Sequence, residues 1–187
     1  MTSLQKILVV YYSRTGFTQT VAQQLAHACH ADLECIEDEQ GRSRSNSYAG
    51  AALSAALHLE SAIAPSRHAP RDYDLVVIGT PIWCWNVASP VRAYVKRHRS
   101  AFRRVAFFCT MAGSGQAKVL RNLKVLCGRP AVATLSLRDD EITHRLHRQK
   151  LAEFAATLRA GPSLLRGHQR RRVSALSQSA SGSQAPP

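Results

Sequence analysis

One stretch near the start of the chain, residues 7–18 (ILVVYYSRTGFT), constrains the fold more than any other. Its first six residues are apolar or aromatic and predict a strand buried on both faces, which is typical of a parallel sheet. Phe17, Val21, Leu25 and Cys29 then recur every fourth residue, the spacing of one helix face. A buried strand that leads through a short loop into a helix indicates an α/β fold.

The loop between this strand and this helix suits an anion. Ser13, Thr15 and Thr18 supply hydroxyl donors, and Gly16 lets the backbone approach a ligand closely. Unpaired N–H groups at the start of the helix point toward the same place. The loop lacks the lysine of GxxxxGK[ST] and the glycines of GxGxxG, which favours a terminal monophosphate over a polyphosphate. An ordinary turn capped by Ser or Thr is the alternative interpretation.

Strands and helices continue to alternate along the chain. Further strands are predicted at residues 32–36, 74–79, 104–109 and 131–137, and further helices at 48–63, from 89 onward, at 116–127 and at 139–158. Right-handed crossovers then require helices on both faces of a parallel sheet. The predicted fold class is therefore α/β, a three-layer α/β/α sandwich with a five-stranded parallel sheet of order 2-1-3-4-5.

Two more unusual loops follow predicted strands. Residues 80–90 (TPIWCWNVASP) place Trp83 and Trp85 directly after a buried strand, where they form an aromatic wall for a flat ligand or simply fill the core. Residues 110–115 (TMAGSG) are small and hydroxyl-bearing. In the predicted strand order the three loops follow neighbouring strands, and ligands of such sheets bind beyond the carboxyl ends of the strands. We therefore expect the loops to share one crevice.

Composition indicates one domain, residues 1–160, with a basic, disordered tail at 161–187. The tail contributes part of the formal charge of +13, and a second group of cations contributes more: Arg92, Lys96, Arg97, Arg99, Arg103 and Arg104. This basic cluster would attract an anionic partner or NADPH, or it is a solvated surface without a specific ligand. Neither a signal peptide nor a membrane span is expected, and five cysteines without a CxxC pair suggest a reducing cytoplasm. His144 and His147 lack further ligands for a metal and are interpreted as helix-surface residues.

These three loops together resemble those of the flavodoxin-like FMN-binding proteins, from about Lys6 to Leu158. The resemblance implies FMN as cofactor, with its phosphate in the first loop and its ring between the other two. The implied cofactor-binding residues are Ser13, Arg14, Thr15, Gly16, Phe17, Thr18, Thr80, Pro81, Ile82, Trp83, Trp85, Thr110, Met111, Ala112 and Gly113. Which tryptophan stacks on the ring stays open, and so does whether Cys84 touches it.

The resemblance also implies a function, an oxidoreductase that transfers electrons from NAD(P)H to a quinone or similar acceptor. The flavin performs such chemistry itself, so no catalytic side chain and no metal is assigned. A non-enzymatic electron carrier for a partner protein and a flavin-free binding module are the alternatives. The charge of this domain argues against a dedicated electron carrier, because carrier flavodoxins are acidic and this domain is basic. No specific nucleic-acid partner is expected, and the oligomeric state stays open, with a homodimer among the options.

Overall fold

The computed structural model describes residues 5–39 and 61–160, and a sheet of apolar strands forms its centre. Numbered through the described residues, the strands are β1 (Ile7–Tyr11), β2 (Asp32–Cys35), β3 (Leu75–Trp83), β4 (Asn86–Val87), β5 (Val105–Met111) and β6 (Ala131–Arg138). Five of them run parallel in the order β2-β1-β3-β5-β6, which confirms the predicted sheet. The short β4 is an addition, since it pairs antiparallel with the end of β3.

Helices cover both faces of this sheet, as predicted. They are α1 (Phe17–Cys29), α2 (Ser89–His98), α3 (Gln116–Cys127), α4 (Asp139–Thr143) and α5 (Arg148–Arg159). Val9 packs in one core with α1 and α5, whereas its neighbour Val10 packs in the other with α2 and α3. Successive strand residues point to opposite faces, so an unbroken apolar run is what a sheet with two covered faces requires.

Gly79 in β3 makes room for an aromatic ring on the adjacent strand. A Cβ atom at this position would lie 2.1 Å from Cζ of Phe108, which is fully buried in β5. The two residues are directly paired in the sheet. The glycine is therefore required by packing, and a methyl group there would force the Phe108 ring or the strands apart.

The last predicted helix, 139–158, is broken into α4 and α5. Arg145 has a positive φ of 59° between them, and the chain turns so that His147 points inward. His147 is 1% exposed, with Nε2 2.8 Å from Oε1 of Gln24 and Nδ1 3.2 Å from the carbonyl oxygen of Glu141. Its interpretation as a surface residue is thus wrong. Its role is to join α5 to α1, and His144 alone remains exposed.

The predicted basic cluster also changes in the structure. Arg92 is buried and donates to the carbonyl oxygen of Val87 (2.9 Å) and to Oγ of Ser89 (3.3 Å), so it does not belong to a solvated face. Ser89 is the first residue of α2, and Ala88 occupies the N-cap position. The remaining cations follow α2 toward the end of the sheet where the strands begin, where Arg103 pairs with Asp74 at 3.3 Å.

Two predictions fall largely outside the described residues. These are the basic tail, 161–187, and the second predicted helix, 48–63, of which only 61–63 are described and are not helical. Ile63 instead forms an isolated antiparallel bridge with Asp38. None of the helices in the described part of the chain is long and apolar enough to cross a bilayer.

Candidate functional site

The first loop leads from β1 into α1 and leaves the start of the helix without a side-chain cap. Gly16 is the N-cap residue, with a left-handed φ of 91°, and no acidic residue lies in the first helical turn. Its N–H donates to Oγ of Ser13 at 3.2 Å, and no heavy atom outside its chain neighbours lies within 4 Å of where its Cβ would be. An open, uncapped helix N-terminus favours a negatively charged ligand.

A buried hydroxyl pair joins the first loop to the third. Oγ1 of Thr18 lies 2.8 Å from Oγ1 of Thr110, and these residues are 1% and 2% exposed. Thr18 is in the first turn of α1, and Thr110 is near the end of β5. One hydroxyl donates to the other, so the backbone of both residues and the remaining proton of the accepting hydroxyl are what this pair can offer a ligand.

The second loop is a β-hairpin, which the sequence analysis did not predict. β3 continues to Trp83, four residues beyond its predicted end, and Trp83 pairs with Asn86 across a two-residue turn. Cys84 and Trp85 form this turn with positive φ angles of 45° and 57°. Positive φ at both central residues is the requirement of a type I′ hairpin turn, where Asn and Gly are the usual residues.

Thr80 fixes the base of this hairpin. Its Oγ1 accepts a hydrogen bond from the N–H of Ala88 at 3.2 Å and donates to the carbonyl oxygen of Pro81 at 2.9 Å. The side chain is fully buried. The hydroxyl group of Thr80 therefore makes its hydrogen bonds within the protein, and these bonds hold in place the loop that carries the two tryptophans.

The two tryptophans lie in different environments. Trp83 is half-buried and meets the ring of Tyr12 edge to face, with 5.4 Å between centroids and 89° between planes. Trp85 is 59% exposed, and its Nε1 donates to Oγ of Ser114 in the third loop at 3.2 Å. Trp83 thus connects the second loop with the end of β1, and Trp85 connects it with the third loop.

Each of the three loops therefore contacts the other two, as the strand order predicts. The contacts are Tyr12 with Trp83, Trp85 with Ser114, and Thr18 with Thr110. All three stand at the carboxyl ends of the neighbouring strands β1, β3 and β5. This is the edge at which open parallel sheets bind their ligands.

Two charged groups and one thiol of the described residues lie near the loops. Burial raises the pKa of Tyr12, and Asp38 raises it further, whereas Arg14 lowers it, so both charged groups act at the rim of the first loop. Cys84 is exposed at the hairpin turn. Within residues 5–39 and 61–160, no group of three or more His, Cys, Asp or Glu is placed to hold a metal ion.

A family profile described as Flavodoxin matches residues 6–157 of this sequence. The chain belongs to the flavodoxin family. No curated protein matches the sequence significantly. The residues matched by the flavodoxin-family profile include the complete sheet and all three loops.

Solved structures with the flavodoxin-like fold resemble this chain at low identity. A flavoprotein from Lactobacillus acidophilus NCFM in complex with FMN has a TM-score of 0.64 and 21% identity, covering 75% of this chain and 97% of its own. A candidate flavoprotein from Bacteroides eggerthii has a TM-score of 0.61 and 23% identity, covering 81% and 98%. Flavodoxin 1 from Bacillus cereus has a TM-score of 0.53 and 14% identity, covering 84% and 99%. At these identities the likeness is one of fold.

The structure brings the residues predicted from the flavodoxin resemblance to this one edge, but in unequal exposure. Thr18, Thr80, Thr110 and Met111 are buried; Ser13, Arg14, Gly16, Phe17, Pro81, Ile82 and Trp83 are half-buried; Thr15, Trp85, Ala112 and Gly113 are exposed. Sequence reasoning missed Tyr12 and Ser114 as contact residues. Ser114 carried a usable signal, because it is a hydroxyl residue within the small-residue loop.

Proposed function

We propose that this flavodoxin-family chain binds FMN between its three loops and transfers electrons from NAD(P)H to a quinone or a similar acceptor. The observation that carries the proposal is the mutual contact of the loops, with an uncapped helix N-terminus at one side and the half-buried ring of Trp83 at the other. That arrangement suits a molecule with a terminal phosphate and a flat ring. The FMN complex of the Lactobacillus acidophilus flavoprotein, which shares the fold, supports the same choice.

The phosphate end is assigned to the first loop. Ser13 accepts the N–H of Gly16, which leaves its own O–H proton for an anion, and Thr15 presents an exposed hydroxyl. The backbone N–H groups at the start of α1, at Phe17 and Thr18, would complete the donors. Arg14 adds a positive charge beside them. Hydroxyl groups, backbone N–H groups and one guanidinium, without a metal, suit a phosphate monoester.

The ring end is assigned to the second and third loops. Pro81, Ile82 and Trp83 form one wall, half-buried and held by the Thr80 hydroxyl, and the backbone of 110–113 forms the other. Gly113 would have open space around a Cβ atom, so this part of the wall is not filled by the protein. Such rigid walls exclude water from the faces of a planar ring and orient it.

When bound, FMN supplies the redox chemistry, and the protein binds and orients it. The overall reaction is NAD(P)H + H⁺ + quinone → NAD(P)⁺ + hydroquinone, in which two electrons leave the nicotinamide and two protons end on the quinone oxygens. No side chain in the described residues is needed as acid or base for this balance.

The basic cluster does not distinguish NADPH from NADH. Helix α2 runs from the loop edge back toward the N-terminal ends of the strands, so Lys96, Arg97 and Arg99 lie away from the crevice. Arg92 is buried. The choice between NADH and NADPH is therefore left to experiment. A cytoplasmic location is part of the proposal, because all five cysteines are free thiols.

The test is to add FMN to the purified protein, measure its absorbance and dissociation constant, and follow NADH and NADPH oxidation with a naphthoquinone as acceptor. Saturable FMN binding and quinone-dependent oxidation of either nicotinamide are expected. FMN binding without nicotinamide oxidation, together with a stable one-electron-reduced form on titration, would identify an electron carrier. Protein that binds no FMN would overturn the proposal and favour a flavin-free module.

A further inference from the structure

Trp85 occupies a hairpin-turn position where glycine or asparagine is usual. Its φ of 57° places it in the left-handed region, where any residue with a Cβ is less stable than glycine by about 1–2 kcal/mol. Its side chain is 59% exposed, so the burial of the side chain offsets little of this unfavourable backbone energy. A tryptophan at a position that favours glycine, with its ring exposed, points to a functional role.

The ring of Trp85 is also fixed in place. Its Nε1 donates to Oγ of Ser114, and a Cβ at Gly115 would lie 2.7 Å from its Cδ1 and 3.3 Å from its Cα. Gly115 itself has a positive φ of 112°. One edge of the indole is thus held against the third loop, and the rest of the ring is left to solvent.

Trp85 lies outside the wall formed by Trp83. Trp83 belongs to β3, contacts Tyr12 and packs against the core on the α2 and α3 side of the sheet. Trp85 follows at the tip of the hairpin and spans the gap to the third loop. Trp83 is therefore placed to contact a permanently bound cofactor, and Trp85 is placed to contact a substrate that binds and dissociates.

The residues that flank and hold the exposed indole are uncharged. Cys84 precedes it, Asn86 follows it, and Ser114 and Gly115 hold its edge. A nicotinamide dinucleotide would also bring a pyrophosphate, and the uncapped N-terminus of α3 at Gly115 offers N–H donors beside the indole, so the nicotinamide is the competing occupant of this surface. A neutral planar molecule needs only an aromatic surface, which stacks in offset or edge-on geometry.

We propose that Trp85 is the platform on which the electron acceptor stacks, and that it makes the site selective for neutral, planar, quinone-type acceptors. The inference rests on the proposed function, because it takes FMN to occupy the crevice behind the hairpin. It adds a specificity-determining residue that acts on the acceptor and not on the cofactor.

The test uses full-length protein with FMN bound, reduced by dithionite under anaerobic conditions, so that it does not depend on a nicotinamide. Stopped-flow mixing with 1,4-naphthoquinone or with ferricyanide, which is charged and not planar, gives the reoxidation rate against acceptor concentration. Trp85→Gly removes the ring and keeps the turn, since glycine favours positive φ. Trp85→Phe keeps an aromatic ring, and Leu146→Ala removes an exposed apolar side chain elsewhere (70% exposed).

For Trp85→Gly, the naphthoquinone concentration at half-maximal rate is expected to rise roughly threefold to tenfold, the range of one aromatic stacking contact. Ferricyanide rates and the FMN dissociation constant are expected to stay within about twofold of wild type. Trp85→Phe should recover most of the effect, and Leu146→Ala should show none.

Several outcomes would overturn the inference. Equal loss with both acceptors, or a weaker FMN complex, would assign Trp85 to the cofactor. A raised KM for NADH or NADPH in steady state, with naphthoquinone unaffected, would assign it to the donor. If wild type oxidised no nicotinamide but the Trp85 effect on reoxidation were present, the proposed donor would fail and the inference would stand.

Discussion

The hydroxyl groups of Thr18 and Thr110 lie 2.8 Å apart in the interior, although 92 residues separate them in the sequence. One belongs to the first turn of α1 and the other to the end of β5. This hydrogen bond fixes the distance between the loop assigned to the phosphate and a loop assigned to the ring. It is therefore where the stability of the fold and the shape of the candidate site are directly connected.

The stability losses from removing the two members of this pair should not add. Thr18→Val leaves the Thr110 hydroxyl buried without a partner, which we expect to lower the free energy of unfolding by about 1–3 kcal/mol. Adding Thr110→Val removes the orphaned group, so the double variant should lose less than the sum. Urea unfolding of the four proteins of this cycle measures the coupling, and additive losses would show that the pair contributes nothing.

Gly16→Ala should destabilise the start of α1 without any steric clash. The φ of 91° is unfavourable for alanine, and we expect a loss of about 1–2 kcal/mol together with weaker FMN binding. Gly113→Ala is the matched control, because Gly113 also has open space around it but lacks a positive φ. Urea unfolding of both variants tests the backbone effect, and equal losses at the two positions would contradict it. FMN titration is interpreted for Gly16→Ala alone, because Gly113 lies in the wall assigned to the ring.

Gly79→Ala should be destabilising for the opposite reason, a clash at normal backbone geometry. The added methyl group would lie 2.1 Å from Cζ of Phe108, and overpacking of this kind costs about 1–3 kcal/mol. Phe108→Leu shortens the opposing side chain. Thermal unfolding of the double variant should show a smaller loss than the sum of the single variants, and strict additivity would exclude this contact as the cause.

Acid should weaken the protein partly through Glu141. Its carboxylate accepts the N–H of Arg138 at 2.8 Å and pairs with Lys150, and both contacts lower its pKa. Because the pKa is lower in the folded state, the contribution is present above the ordinary value of 4.5 and is lost as the pH falls through the folded value. The free energy of unfolding should fall between pH 7 and pH 3, and in Glu141→Gln this fall should be smaller by about 0.5–1 kcal/mol.

Urea unfolding at several pH values measures this contribution. Asp139→Asn serves as the control in the same helix, since burial raises the pKa of Asp139 and gives its contribution the opposite sign. An acid-side loss that is unchanged in Glu141→Gln would exclude this residue as its source.

Local periodicity in the sequence is enough to predict the layered α/β architecture of this protein. Unbroken apolar runs such as 7–12 require a sheet covered on both faces, and alternation with helices requires parallel strands. From that order alone follows the meeting of three loops at one edge. These inferences succeed because burial acts on every residue of a strand in the same way.

Tertiary structure decided what depends on contacts between distant residues. No local pattern indicates that Arg92 turns inward to Val87, that His147 reaches Gln24, or that Cys84 and Trp85 form a hairpin turn from residues that disfavour it. Each of these is settled by a hydrogen bond or a packing contact that exists only after the elements have assembled. A side chain's energy depends on that environment, and residue type alone does not supply it.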